Sequence, residues 1–180
     1  MISKNMDIRN ILVRAAEDFD GGYAMAGMIG NGDAFVLRDP NGIRPAFYYK
    51  DDEVVVVASE RPVIQTAFNV SHELVHEVDP GHALIIKKNG EVSMDMIRQP
   101  GEKKSCSFER IYFSRGSDLD IYRERMELGR TLVPHILRSI GSDMKNTVFS
   151  FIPNTAEVSY YGMLKGLEEV HNDRKLEDIA

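Results

Sequence analysis

Cysteine is nearly absent: the 180 residues contain one, Cys106. A single thiol excludes an internal disulfide and a cysteine-rich zinc finger. Long apolar runs are also missing, and none reaches the ~20 residues that a membrane-spanning helix needs. The opening Met1-Ile2-Ser3-Lys4-Asn5 carries no apolar signal segment. Positive charge is in deficit, with 22 Lys and Arg against 28 Asp and Glu and a net charge of −6. A nucleic-acid binder would ordinarily present a basic face, so that class is disfavoured. No internal repeat or low-complexity tract is visible. What remains is 43% hydrophobic and 28% charged, enough apolar surface for a core. The expectation is a cytoplasmic protein of one domain, or of one domain and a piece of another.

The pattern along the chain is mixed. Ile8, Ile11, Leu12, Ala15 and Phe19 recur at helical spacing until Asp20-Gly21-Gly22 stops them. Residues 23–29 and 34–37 predict a hairpin across the turn Gly30-Asn31-Gly32-Asp33. Residues 46–49 and 53–57 predict a second hairpin around Asp51-Asp52. Ser59 is placed to cap a short helix running to Phe68, with Pro62 in its first turn. Residues 75–78, 83–87 and 91–97 predict more antiparallel pairing, the last two across Asn89-Gly90. Gln99-Pro100-Gly101-Glu102-Lys103-Lys104 is polar and reads as a linker. Beyond it, residues 121–140 predict a long helix carrying Pro134. Residues 147–152 are a continuous apolar run, as a buried parallel strand would be, and a helix is expected over about 156–170. The first hundred residues thus read as an antiparallel meander with helices, and the last seventy as the start of an α/β unit.

Several local patterns invite a chemical reading. His72-Glu73-Leu74-Val75-His76 matches the zinc-protease pattern, which requires a helix to bring both imidazoles to one face. Val75 and Val78 favour a strand instead, and in a strand residues four apart stand about 13 Å from each other. Exposed histidines on a strand are the expectation, with a zinc hydrolase using His72, Glu73 and His76 as a rival. Asp51-Asp52-Glu53 reads as a hairpin turn rather than a metal site. Cys106 has only Lys103 and Lys104 nearby to activate it, so an inert, partly buried thiol is expected. The loop Arg38-Asp39-Pro40-Asn41-Gly42-Ile43-Arg44-Pro45 is stiff, and its charges must be paired or bind something. It is either a structural Arg–Asp network or the wall of a substrate pocket, and the residues alone leave both open.

That loop, with Ala58-Ser59-Glu60 after it, resembles the later half of a class II glutamine amidotransferase domain. Pro80-Gly81-His82-Ala83, the run from Cys106 to Arg115 and Ile152-Pro153 ahead of a helix narrow the likeness. Together they are similar to the glutamine phosphoribosylpyrophosphate amidotransferase family, from about Gly21 to Gly166. The resemblance implies an α+β chain. Residues 1–104 would be part of an N-terminal-nucleophile αββα sandwich, and residues 105–180 the first α/β elements of a phosphoribosyltransferase domain. It implies glutamine and phosphoribosylpyrophosphate as substrates of the whole enzyme, with ammonia displacing pyrophosphate to give 5-phosphoribosylamine. Half of such a sandwich would expose apolar faces, so a homo-oligomer is expected, with neither membrane nor nucleic acid as a partner.

Arg38, Asp39, Asn41, Gly42, Arg44, Ser59 and Glu60 map onto the family's glutaminase motifs as supports of the substrate pocket, without a catalytic role. Cys106 matches the first of four iron–sulfur ligands in one branch of the family. The cofactors implied for the whole enzyme are magnesium and, in that branch, the cluster; none is expected in this chain. The family's nucleophile is an N-terminal cysteine, whereas this sequence opens Met1-Ile2, and its diphosphate-binding loop would follow Ala180. The 180 residues are therefore expected to be an inactive fragment, the alternative being a standalone, non-catalytic binding module derived from a class II glutaminase. Pro153-Asn154-Thr155 and Gly116-Ser117-Asp118 depart from the family's usual P-[ED]-S/T and Pro-Asp-Ser, which points to a divergent branch.

Overall fold

The computed structural model describes residues 7–179. The chain forms two compact units that divide between Glu109 and Arg110. The first contains α1 (Ile8–Ala16), β1 (Ala24–Met28), β2 (Ala34–Arg38), β3 (Phe47–Lys50), β4 (Val55–Ala58), α2 (Arg61–Phe68), β5 (His76–Glu77), β6 (His82–Ile86) and β7 (Val92–Met96). The strands make two antiparallel sheets, ordered β1-β2-β6-β7 and β4-β3-β5.

Four layers follow from which side chains each element turns inward. In α1 the buried residues Ile8, Leu12 and Ala16 are spaced by four, one face of a helix. They cluster with Leu37, Ala83, Ile85 and Ile97, so α1 covers one face of the first sheet. Alternate residues Val36 and Leu84 point the other way and meet Ala46 and Val78, flanked by Tyr48, Val55 and Val57 from the second sheet. The pairing Phe35↔Ile85 and Leu37↔Ala83 holds this alternation, and a slip of one residue would turn Leu37 away from α1. On β3, the neighbours of Tyr48 face outward. Phe47 lies under the Arg61 guanidinium at 4.9 Å, and the Tyr49 ring is 6.3 Å from Phe68. Helix α2 therefore covers the outer face of the second sheet, and the order is helix, sheet, sheet, helix.

Three sequence expectations need correction here. Ser59 does not cap α2: the N-cap is Glu60, and Ser59 lies exposed before it. The run from His72 is not one strand, because residues His72–Leu74 form a 3₁₀ turn and β5 is only two residues long. Asp79-Pro80-Gly81 turns the chain so soon afterward that no longer ladder forms. The α1 helix stops at Ala16, one turn short of Phe19, whose ring packs edge-on against Tyr23 at 5.4 Å.

A π-helical turn, Glu109–Phe113, begins on the last residue of the first unit. The second unit is helical, with α3 (Leu119–Ser139) and α4 (Glu157–Ile179). Asp118 caps α3 by accepting from the amides of Asp120 and Ile121. Arg125 is buried and donates to the carbonyls of Arg110 and Ser114, and its burial pulls its pKa down. Helices α3 and α4 pack through Val133, Leu137, Met163 and Leu167. Glycine makes their approach close. A Cβ on Gly129 would lie 1.8 Å from the carbonyl oxygen of Ser159, and one on Gly162 would lie 1.9 Å from that of Met126.

The parallel strand expected over residues 147–152 is absent. Val148 is 93% and Ile152 83% exposed. Among the described residues of this unit there is no strand to pair with, and an apolar run without a ladder partner does not become one. Instead the Phe151 ring sits 5.0 Å from Tyr160, and the Tyr160 hydroxyl donates to the carbonyl of Phe149. The chain as a whole is α+β. No helix of the described residues is long and apolar enough to cross a membrane.

Candidate functional site

Arg38 ends β2 and Asp39 opens the loop that follows, so two opposite charges leave the first sheet side by side. They are 2% and 0% exposed. Buried charges must find partners, and here each finds main chain instead of the other. Arg38 donates from Nε to the carbonyl of Arg44 at 2.8 Å, from Nη1 to that of Val78 at 2.6 Å and from Nη2 to that of Gly42 at 3.3 Å. Its Nη1 also stands 3.5 Å from the Glu77 carboxylate. The Asp39 carboxylate accepts four amides. Asn41 and Ile43 reach Oδ1, both at 3.0 Å, while Arg44 at 3.0 Å and Tyr23 at 3.3 Å reach Oδ2.

These bonds fix the turn. Gly42 adopts φ +59°, where an L side chain is strained, and an added Cβ would meet the Pro80 ring at 3.0 Å. The Gly81 amide donates to the carbonyl of Asp39 at 3.0 Å, so the Asp79–Gly81 turn rests on the same loop. Asn41 turns its side-chain amide outward to the carbonyl of Glu102 at 2.9 Å. Arg44, half exposed, forms an ion pair with the nearly buried Glu109. Burial pushes the Glu77 carboxyl up, but Lys103 and Arg38 outweigh it and hold its pKa below the usual glutamate value.

The structure thus gathers Arg38, Asp39, Asn41, Gly42 and Arg44 into one network. The charges of this loop are paired, with bonds that run through the backbone and not between the two side chains. Ser59 and Glu60 stand apart from it in the chain, on the turn from β4 to α2 beside the second sheet. His72 lies against Arg61, with Nε2 3.1 Å from Nη1, and His76 packs on Tyr48 with ring centres 5.7 Å apart. Among the described residues no three of His, Cys, Asp and Glu converge as a metal set, so the zinc reading of His72, Glu73 and His76 has no structural support. Cys106 is partly buried and free. One thiol cannot hold an iron–sulfur cluster, which takes four ligands, so the residues present do not fit that group by themselves.

Sequence reasoning missed Glu77, Lys103 and Glu109, which complete the network from 33 residues or more away along the chain. No local pattern marks them. Asp33 was missed as well. It is buried, accepts the Lys88 amide at 3.0 Å, and its pKa is lowered, chiefly by that amide. The turn marks only the local half of its bonding, in which Asn31 Oδ1 accepts the Asp33 amide two residues on at 2.9 Å, whereas Lys88 lies far along the chain.

Comparison with known proteins bears on this loop-centred unit. No family model matches the chain. Amidophosphoribosyltransferase of Pasteurella multocida is 30% identical over 140 residues, 73% of this chain and 27% of that protein. The Saccharomyces cerevisiae amidophosphoribosyltransferase is 30% identical over 148 residues, 76% of this chain and 28% of its own. The chain is homologous to part of the amidophosphoribosyltransferases. It spans under a third of the length of these curated relatives. The glutamine phosphoribosylpyrophosphate amidotransferase of Bacillus subtilis, solved with ADP and GMP, superposes with a TM-score of 0.70 at 23% identity. That match covers 93% of this chain and 35% of that one. The likeness to the solved structure concerns the fold, and the amidophosphoribosyltransferase kinship rests on the sequence relatives.

Proposed function

We propose that these residues form part of an amidophosphoribosyltransferase. Residues 1–104 supply the later half of its class II glutaminase domain, with the αββα layering of the N-terminal-nucleophile fold, and residues 105–180 begin its phosphoribosyltransferase domain. The observation that carries the reading is the 30% identity to amidophosphoribosyltransferases over about three quarters of the chain. In the whole enzyme the amide nitrogen of glutamine is released as ammonia. It forms a bond to C1 of phosphoribosylpyrophosphate while the bond from C1 to the pyrophosphate oxygen breaks. Arg38, Asp39, Asn41, Gly42 and Arg44 shape one wall of the glutaminase pocket, with Ser59 and Glu60 as further supports. Arg38 and Asp39 are spent on carbonyls and amides, so their part is to hold the loop, not to touch the reacting atoms. The setting is cytoplasmic and the assembly a homo-oligomer.

The 180 residues by themselves hydrolyse no glutamine. That chemistry needs a cysteine whose own α-amine is the base, and the amine of Cys106 is locked in a peptide bond. Two assays test the proposal. The purified chain is expected to release no ammonia from glutamine above background. A chimera in which these residues replace the matching segment of the Escherichia coli amidophosphoribosyltransferase is expected to release pyrophosphate in the presence of glutamine. A folded chimera inactive with both glutamine and free ammonia would overturn the proposal.

A second reading, a non-catalytic binding module, is favoured by the exposed apolar side chains of Phe108, Ile111, Tyr112 and Phe113. It gains if the chimera is inert while light scattering shows the chain alone associating.

A further inference from the structure

Residues 99–104 have no regular secondary structure, yet they are not a free tether. The Gly101 amide donates to the carbonyl of Pro40 at 2.9 Å, and the Lys104 amide to that of Asn41 at 2.8 Å. In return the Asn41 side chain donates to the carbonyl of Glu102 at 2.9 Å. Lys103 Nζ reaches Glu77 at 3.0 Å, and Glu77 in turn faces Arg38 at 3.5 Å. Further along, Glu109 pairs with Arg44. The segment therefore touches the loop at Pro40 and Asn41, and reaches Arg38 through Glu77. The fit is close, because a Cβ on Gly101 would lie 2.6 Å from the Asn41 side-chain nitrogen.

We infer that residues 99–104 are a latch on the 38–45 loop, and that latch and loop open as a single unit. The bonds on the latch side are of the kind that opens locally: Gly101, Glu102, Lys103 and Lys104 are exposed, and no apolar side chain anchors them. On the loop side they continue the same bonded chain that runs through Asn41 to the Asp39 carboxylate. Freeing Asn41 from Glu102 and Lys104 removes the restraint on a residue whose own amide binds Asp39 at 3.0 Å. The chain leaving the first unit is thereby tied to the loop that carries its most distinctive motif. This holds whichever reaction the loop serves, so it stands or falls apart from the proposed function.

Amide hydrogen exchange on the full chain tests it. Gly101→Ala drives a methyl group against the Asn41 amide, and Lys103→Gln removes the ion pair at an exposed residue. In the double variant, exchange at residues 101 and 104 is expected to rise about tenfold or more. Exchange at Asn41, Ile43 and Arg44 is expected to rise with it, while Leu84, Ile85 and Ile86 in β6 stay as slow as in the parent. Faster exchange at 101 and 104 with Asn41, Ile43 and Arg44 unchanged would overturn the inference, as would no acceleration at 101 and 104. If the double variant loosens β6 as well, the single Lys103→Gln, a surface change, is read by the same criteria.

Discussion

The two units bring distant stretches of chain together by opposite means. In the first, the tight place is polar: buried Arg38 and Asp39 collect three carbonyls and four amides that would otherwise lie unpaired. In the second, the tight place has no side chain at all, since Gly129 and Gly162 let α3 and α4 approach main chain to main chain. The contrast shows what each can tolerate. The first unit depends on an acceptor being present at one point. The second depends on nothing being present where Gly129 and Gly162 face the neighbouring helix.

The contrast can be broken most directly at Asp39. Replacing it with Ala strands four amides, several of them partly buried, and is expected to cost about 4 kcal/mol, read as a lower urea midpoint. Asp39→Asn keeps one acceptor oxygen and is expected to lose about half as much; equal losses would show that charge, not acceptor count, holds the loop. Next is Gly129→Ala. In an exposed helix this exchange gains about 1 kcal/mol. Here the methyl group meets the Ser159 carbonyl, and a net loss of about 2 kcal/mol is expected, confined to α3 and α4 when followed by hydrogen exchange. A gain would mean that the helices simply part.

A smaller effect concerns pH. The Glu77 carboxyl titrates lower folded than unfolded, so its contribution is present above the ordinary carboxylate pKa and is lost as pH falls through the folded value. Glu77→Gln is expected to cost under about 1 kcal/mol at neutral pH, read as a lower urea midpoint, because the site is partly solvated. The gap should close on acidification. A gap that persists in acid would deny the ionic share. Smallest of all is the pair Val148→Ser with Ile152→Ser. As a buried strand these residues would cost several kcal/mol. Exposed as they are, the change is expected to stay within about 0.5 kcal/mol each in thermal melts.

The strands were legible where turn chemistry stood beside alternation. Gly30-Asn31-Gly32-Asp33 and Asn89-Gly90 placed β1, β2, β6 and β7 to within a residue or two, because both the turn and the buried face are encoded locally. The strand at 147–152 was misread for the converse reason. Apolar content is local, but a ladder partner is not, and Val148 has none among the described residues. The loop from Arg38 to Pro45 announced that its charges needed partners. What it could not announce was that those partners were backbone groups, or that Glu77, Lys103 and Glu109 would close the network from far along the chain. Ser59 was misplaced by one residue because Ser and Glu both suit the start of a helix, and the first turn begins at Arg61 behind Glu60.

The Asp39 turn has one more consequence. Amides converging from successive residues of a tight turn make the hollow in which proteins often seat a phosphate. Here the hollow is already filled by a carboxylate carried on the same chain, so the protein is its own counter-ion at that spot. An incoming anion would have to evict a competitor that never diffuses away.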